Sequence, residues 1–147
     1  MPSSKELNPH KNFLKLSMNM YLENIIDLYK NPLNQGELKN ATVSHRAYSP
    51  FCGDDITIDL KIEEQKVIEV KHRGIGCAIS QAAISLLTEE IKNKSLDEIL
   101  EIKPDQVVEM LGIDLGPVRL KCALLGLEAI HQAVGKWQQT SNNKMNS

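Results

Sequence analysis

Residues 56–73 read Ile-Thr-Ile-Asp-Leu-Lys-Ile-Glu-Glu-Gln-Lys-Val-Ile-Glu-Val-Lys-His-Arg, and this stretch decides the fold. Ile56, Ile58, Leu60 and Ile62 alternate with Thr57, Asp59, Lys61 and Glu63, the period of a strand buried on one face. Ile68, Val70 and His72 then alternate with Glu69, Lys71 and Arg73, with Glu64-Gln65 between the two runs, so the pattern predicts an antiparallel hairpin. Thr42 to Tyr48 is a weaker candidate for a third, edge strand. His72 falls on the inward face, which predicts a hydrogen-bonded, partly buried imidazole.

Outward from the hairpin the period becomes helical. On the N-terminal side Met18, Leu22, Ile25, Ile26 and Tyr29 recur at helical spacing until Asn31-Pro32 and Gly36 end the run. On the C-terminal side Ile79, Ala82, Ala83, Leu86, Leu87 and Ile91 form a stripe. Ser95 followed by Glu98 has the form of a capping box, and Pro104 and Gly112 bracket a further short helix. A last helix from about Val118 to Trp137 carries Leu120, Ala123, Leu124, Leu127, Ile130, Val134 and Trp137 on its apolar side. Helix, strands, then helices make an α+β domain. Its expected extent is 17–137, with tails at 1–16 and 138–147, where Ser, Asn, Lys and Gln dominate.

The 147 residues suffice for one such domain, folding without a disulfide or metal. Seventeen basic residues against nineteen acidic, a net charge of -2, give no support to a nucleic-acid or anionic-membrane surface. No apolar run approaches a membrane span and the N-terminus lacks the apolar core of a signal peptide, so a cytoplasmic protein is expected. Three cysteines cannot all pair.

Each cysteine lies at a boundary between predicted elements. Cys52 stands in Ser49-Pro50-Phe51-Cys52-Gly53-Asp54, just before the best strand. Cys77 stands in Gly74-Ile75-Gly76-Cys77-Ala78-Ile79-Ser80, where the second helix begins and the positive end of its dipole favours thiolate. Cys122 follows Gly116-Pro117 near the start of the last helix. Any one of them alone reads as a small core hydrophobe, and Asp54 alone as a solvated acid. Brought together, three thiolates and the Asp54 carboxylate make a four-ligand site for Zn²⁺ or a small iron-sulfur cluster, the hard oxygen favouring exchange over permanent holding. Arg119 and Lys121 flank Cys122, in position to lower its pKa or steady a persulfide.

Asp27-Leu28-Tyr29-Lys30-Asn31-Pro32 with Asn34 and Gly36, Cys52-Gly53-Asp54, Gly74-Ile75-Gly76-Cys77-Ala78-Ile79-Ser80 and Arg119-Leu120-Lys121-Cys122-Ala123 together resemble the U-type iron-sulfur cluster assembly proteins. That family includes a scaffold branch, the N-terminal domain of the nitrogen-fixation U protein, and a zinc-dependent sulfur-transfer branch. The resemblance runs from about Tyr21 to Val134. It implies a small antiparallel three-stranded sheet packed against several helices, with Cys52, Asp54, Cys77 and Cys122 as ligands of Zn²⁺ or a transient 2Fe–2S cluster. It also implies a cysteine desulfurase that hands over sulfur as a persulfide, with iron-sulfur carriers or recipient apo-proteins downstream. A monomer or weak homo-oligomer is expected. Lys121 stands where the scaffold branch has histidine, as in the sulfur-transfer branch, while the lack of an insertion between Cys77 and Cys122 resembles the scaffold branch. Leu115-Gly116-Pro117-Val118-Arg119 resembles, with two differences, the Leu-Pro-Pro-Val-Lys segment that the scaffold branch offers an Hsp70-type chaperone. Cys52 is the expected persulfide acceptor in a sulfur relay and Cys122 in a scaffold. A non-enzymatic scaffold is the first expectation, a zinc-dependent sulfurtransferase relay activating the desulfurase the second, and a zinc-stapled interaction module the third.

Overall fold

The strict alternation in residues 56–62 makes the central strand of a three-stranded antiparallel sheet. The structure, a computed structural model, describes the backbone of residues 9–145 and the side chains of 19–142. Strands β1 (Val43–Tyr48), β2 (Asp55–Glu63) and β3 (Lys66–Ile75) lie in the order β1-β2-β3. Helix α1 (Pro9–Lys30) precedes them, and α2 (Ala78–Ile91), α3 (Leu96–Leu100), α4 (Pro104–Leu111) and α5 (Pro117–Met145) follow. This is the expected α+β architecture. Val43, Ala47, Ile56, Ile58, Leu60, Ile62, Val67, Val70 and His72 turn inward, and α2 and α5 cover that face.

Glu64 and Gln65 close the β2–β3 hairpin with φ of 52° and 64°, the paired positive values that match the right-handed twist of the strands. Gln65 is held from outside, its carbonyl accepting the Leu96 N–H at 3.0 Å. Ile68, expected inward, is displaced. Lys61 pairs with Glu69 but Ile62 pairs with Val67, so Ile68 is an extra residue in β3 and Val67 takes the fully buried position. Such a bulge shifts the alternation by one residue, which periodicity cannot anticipate.

The helical ends follow their local signals. Ser95 and Glu98 form both halves of a capping box, Pro104 begins α4, and Gly112 ends it with φ 71°. The outer helices run past the expected domain limits of 17 and 137. Residues 9–16 continue α1 and residues 138–145 continue α5, because elongating a formed helix gains one hydrogen bond per residue without needing an apolar face. Residues 1–8 and 146–147 of the expected tails, and the side chain of Met18, lie outside the described residues. Helix α1 also turns a different face to the core. Ile25 and Leu28 are buried, whereas Leu22, Ile26 and Tyr29 are exposed. On α5 the buried arc is wider than the stripe suggested, adding Leu125 and Ala129, because this helix touches the sheet, α2, α3 and α4.

The connection after α1 runs along the open edge of β3. His72 exchanges backbone hydrogen bonds with it, from its N–H to the Asn34 carbonyl and to its carbonyl from the Gly36 N–H, both at 2.9 Å. The buried imidazole adds Nε2 to the Leu33 carbonyl at 2.7 Å, as its inward position predicted. Leu33 N–H to Ser85 Oγ at 3.1 Å and Asn34 Nδ2 to Thr88 Oγ1 at 3.0 Å tie the same segment to α2. A sheet edge that would otherwise offer unpaired backbone is thereby covered. On the opposite face Asp59, expected to point to solvent, is 2% exposed. Its carboxylate accepts from Ser44 Oγ at 2.6 Å, the Leu38 N–H at 3.0 Å and Arg73 Nη1 at 2.5 Å.

Candidate metal and sulfur site

Three chain segments meet at the end of the sheet where β1 hands over to β2. Residues 49–54 form the first, a turn closed by Gly53 N–H to Ser49 O and Ser49 N–H to Asp54 O, each 2.8 Å. Gly53 takes φ 73° there, leaving Cys52 exposed at the tip and returning Asp54 to a buried position. The second is the passage from β3 into α2. Gly74 adopts φ 135°, and a Cβ on it would lie 1.9 Å from the Asp55 carbonyl oxygen, so only glycine lets β3 lie this close to the start of β2. Cys77 follows as the N-cap of α2, its Sγ accepting the Ser80 N–H at 3.5 Å. The third is α5, whose second turn carries Cys122, 4% exposed.

These segments bring the predicted residues together. One ligand atom from each of Cys52, Asp54 and Cys122 lies within 4.8 Å of the other two. Cys77 stands outside that tightest group but joins it through Asp54, whose Oδ1 accepts the Cys77 N–H at 3.2 Å and whose Oδ2 lies 3.9 Å from Cys77 Sγ. Sulfurs about 2.3 Å from a tetrahedral Zn²⁺ sit roughly 3.8 Å apart, so the Cys52, Asp54 and Cys122 donors, all within 4.8 Å of one another, match three corners of such an ion after a shift of about an ångström. Two thiolates on loop or cap positions, one on a helix and one carboxylate supply both the number and the softness of donor that Zn²⁺ or iron-sulfur chemistry requires.

The thiol of Cys122 is pushed well above its ordinary pKa by burial first, then by hydrogen bonding with Cys52 and the charge of Cys77. Arg119 and Lys121, read as able to lower it or to steady a persulfide, are not among these influences. Lys121 turns its Nζ over the Phe51 ring, 4.2 Å from the centroid. Arg119 instead lines an apolar groove of about 470 Å³ with Leu22, Ile26, Ile113, Cys77 and Cys122, placing one cation among apolar walls beside two of the sulfurs. The Phe51–Lys121 contact was not read from the sequence. Its only signal there is an aromatic and a cation each directly preceding a cysteine. Of the histidines, His45 meets Gln132 at 2.7 Å and His131 the Ile99 carbonyl at 2.9 Å, and neither joins the sulfurs. Among the described residues no helix is long and apolar enough to cross a membrane.

Comparison with known proteins agrees with this geometry. Residues 20–144 match the family described as NifU-like N terminal domain. The iron-sulfur cluster assembly scaffold protein IscU of Haemophilus influenzae is 37% identical over 122 residues, 80% of this chain and 95% of that one. Its namesake from Escherichia coli K12 is 34% identical over 128 residues, 84% of this chain and 98% of that one. Among solved structures, a putative iron-sulfur cluster assembly scaffold protein for the SUF system from Fervidobacterium islandicum superposes with a TM-score of 0.67 at 26% identity, covering 76% of this chain and 94% of that one. With the family matched over residues 20–144 and relatives more than 30% identical across most of the chain, the chain belongs to the NifU-like N-terminal domain family, the U-type iron-sulfur cluster assembly proteins.

Proposed function

We propose that the protein is an iron-sulfur cluster assembly scaffold that accepts sulfur from a cysteine desulfurase and builds a transient cluster, of 2Fe–2S type, on Cys52, Asp54, Cys77 and Cys122. The observation that carries this reading is the approach of Cys52, Asp54 and Cys122 to within 4.8 Å, with Cys77 bridged to them by Asp54. In the transfer step a thiolate attacks the outer sulfur of the donor's persulfide; the sulfur–sulfur bond breaks and the donor leaves as thiolate. Cys52 suits the acceptor role, being exposed on a glycine turn, whereas Cys122 is buried and held as the neutral thiol. Cys77, fixed as a helix cap, suits a standing ligand, and Arg119 in the adjacent groove suits steadying a persulfide anion.

Zn²⁺ would be held by the same four residues, keeping the thiolates deprotonated until exchanged. That is the sulfur-relay reading, favoured by the accessibility of Cys52. Recipient apo-proteins and a cytoplasmic setting complete the proposal. The test is anaerobic reconstitution with ferrous iron, cysteine and a desulfurase, followed by transfer to an apo-ferredoxin. Wild type is expected to assemble and release a cluster, and Asp54→Ala to assemble one that transfers several-fold more slowly, because its hard, exchangeable ligand is gone. No cluster on the wild-type protein, with desulfurase turnover instead raised by the zinc form, would replace the scaffold by the relay.

A further inference from the structure

The contact between Phe51 and Lys121 joins the two elements that carry Cys52 and Cys122. Phe51 immediately precedes Cys52 on the β1–β2 turn, and Lys121 immediately precedes Cys122 on α5. The ammonium sits 4.2 Å from the ring centroid, within the range of a cation–π interaction. The ring itself is 76% exposed, so core burial does not hold it in place. The backbone of the turn bonds only to itself, and among the described residues no backbone hydrogen bond ties residues 50–52 to α5, the Cys52 and Cys122 thiols being their one other polar contact. What lies between turn and helix is an open groove of about 380 Å³, lined by Tyr48, Pro50, Phe51, Lys121, Leu124 and Glu128. Without Lys121 the turn keeps only the weak thiol contact of Cys52 with Cys122 as a polar tie to the helix.

We propose that Lys121 is a positioning residue: its ammonium, seated on Phe51, clamps the Cys52 turn against α5 and so sets how often the Cys52 sulfur lies within bonding range of the site. The inference rests on the shared-site reading above and adds a control on the ligand carried by the exposed β1–β2 turn. Breaking a solvent-exposed cation–π contact lowers the clamped population, and with it the contribution of Cys52 to metal binding, by roughly two- to five-fold. Cys77 and Cys122, held by the α2 cap and by the core, keep their places.

The experiment uses Co²⁺ as the probe ion and the full chain in five forms: wild type, Lys121→Met, Lys121→Arg, Phe51→Leu and the Lys121→Met/Phe51→Leu pair. Sulfur-to-cobalt charge-transfer bands report thiolate ligation and their titration gives affinity. Lys121→Met and Phe51→Leu should each weaken Co²⁺ binding about two- to five-fold, the pair should be no weaker than either alone, and Lys121→Arg should behave as wild type. Equal affinities of Lys121→Met and wild type, or losses that multiply in the pair, overturn the clamp. A second arm needs no metal. In the apo-protein under a mild thiol oxidant, the yield of the Cys52–Cys122 disulfide, read by peptide mass spectrometry, should fall by a similar factor in Lys121→Met and recover in Lys121→Arg. If wild type shows no thiolate–cobalt band the shared metal site fails, and the disulfide arm still decides the clamp. Unchanged disulfide yields overturn it.

Discussion

Replacing Gly74 by alanine tests how the β3–α2 passage places its cysteine. Gly74 has φ 135°, a region that side-chain-bearing residues occupy only under strain of about 1–3 kcal/mol. The added Cβ would also stand 1.9 Å from the Asp55 carbonyl oxygen, 2.9 Å from its carbon and 3.2 Å from Ile56 Cα, all backbone atoms that no rotamer change can move. Relief requires β3 to swing away from the start of β2, giving up the Ile56↔Gly74 and Asp55↔Ile75 pairings. One or two ladder hydrogen bonds at about 0.5–1.5 kcal/mol each bring the total to roughly 1.5–6 kcal/mol. In a chain of this size that is a fall in melting temperature of about 3–24 °C. Gly53 is the control, since it too has positive φ, 73°, but nothing lies within 4 Å of its prospective Cβ. Gly53→Ala should lose only about 1–2 kcal/mol, the backbone cost alone. Urea unfolding of the three proteins gives both numbers if the slopes agree. A Gly74→Ala loss below about 1 kcal/mol, or no larger than that of Gly53→Ala, would refute the close approach.

Three further outcomes follow from the burial of charged and titratable groups. Burial pushes the His72 imidazole below its usual pKa near 6.5, the Leu33 carbonyl only partly opposing it, so the folded protein holds it neutral. The unfolded chain then takes up its proton first as pH falls. Stability should be level above about pH 6.5 and decline below it until the folded imidazole also protonates; His72→Phe should flatten that decline in urea melts between pH 7.5 and 5. At Asp59, burial raises the pKa but the bonds from Ser44, Arg73 and Leu38 outweigh it, leaving it below the ordinary carboxylate value. Asp59→Ala removes a buried carboxylate shared by three partly exposed donors and should cost about 1.5–3 kcal/mol in the same assay, whereas a loss under 1 kcal/mol would mean that solvent replaces the carboxylate. Finally, iodoacetamide at pH 8 should modify Cys52 and Cys77 at least ten-fold faster than the buried Cys122 in the native apo-protein, with the difference vanishing in urea. Equal native rates would place Cys122 at the surface.

Local chemistry carried much of this structure into the sequence. The period of two in residues 56–62, the Glu64-Gln65 turn, the Ser95–Glu98 capping box and the Gly112 terminus each carry a signal among neighbours within a few residues, so they can be read without the rest of the chain. The inward His72 belongs with them, since its face follows from the strand period. The cysteines were also legible as candidates, because each sits where glycine or proline breaks one element and starts the next.

What tertiary contact decides is different in kind. The bulge at Ile68 exists because Val67 and Val70 must both reach the same core, and the inward face of α1 is chosen by α2, not by its own apolar count. Asp59 is buried because the connection before β1 folds over it, and Lys121 points to Phe51 because that ring lies seventy positions away in sequence and one groove away in space. The sequence by itself determined which residues are candidate ligands and which segments become strands and helices, since propensity, capping and period are set by near neighbours. The packing of the β1–β2 turn, the β3–α2 cap and α5 at one end of the sheet decided that Cys52, Asp54, Cys77 and Cys122 lie near one another, because distances between residues far apart in the chain are fixed only when a common core is buried.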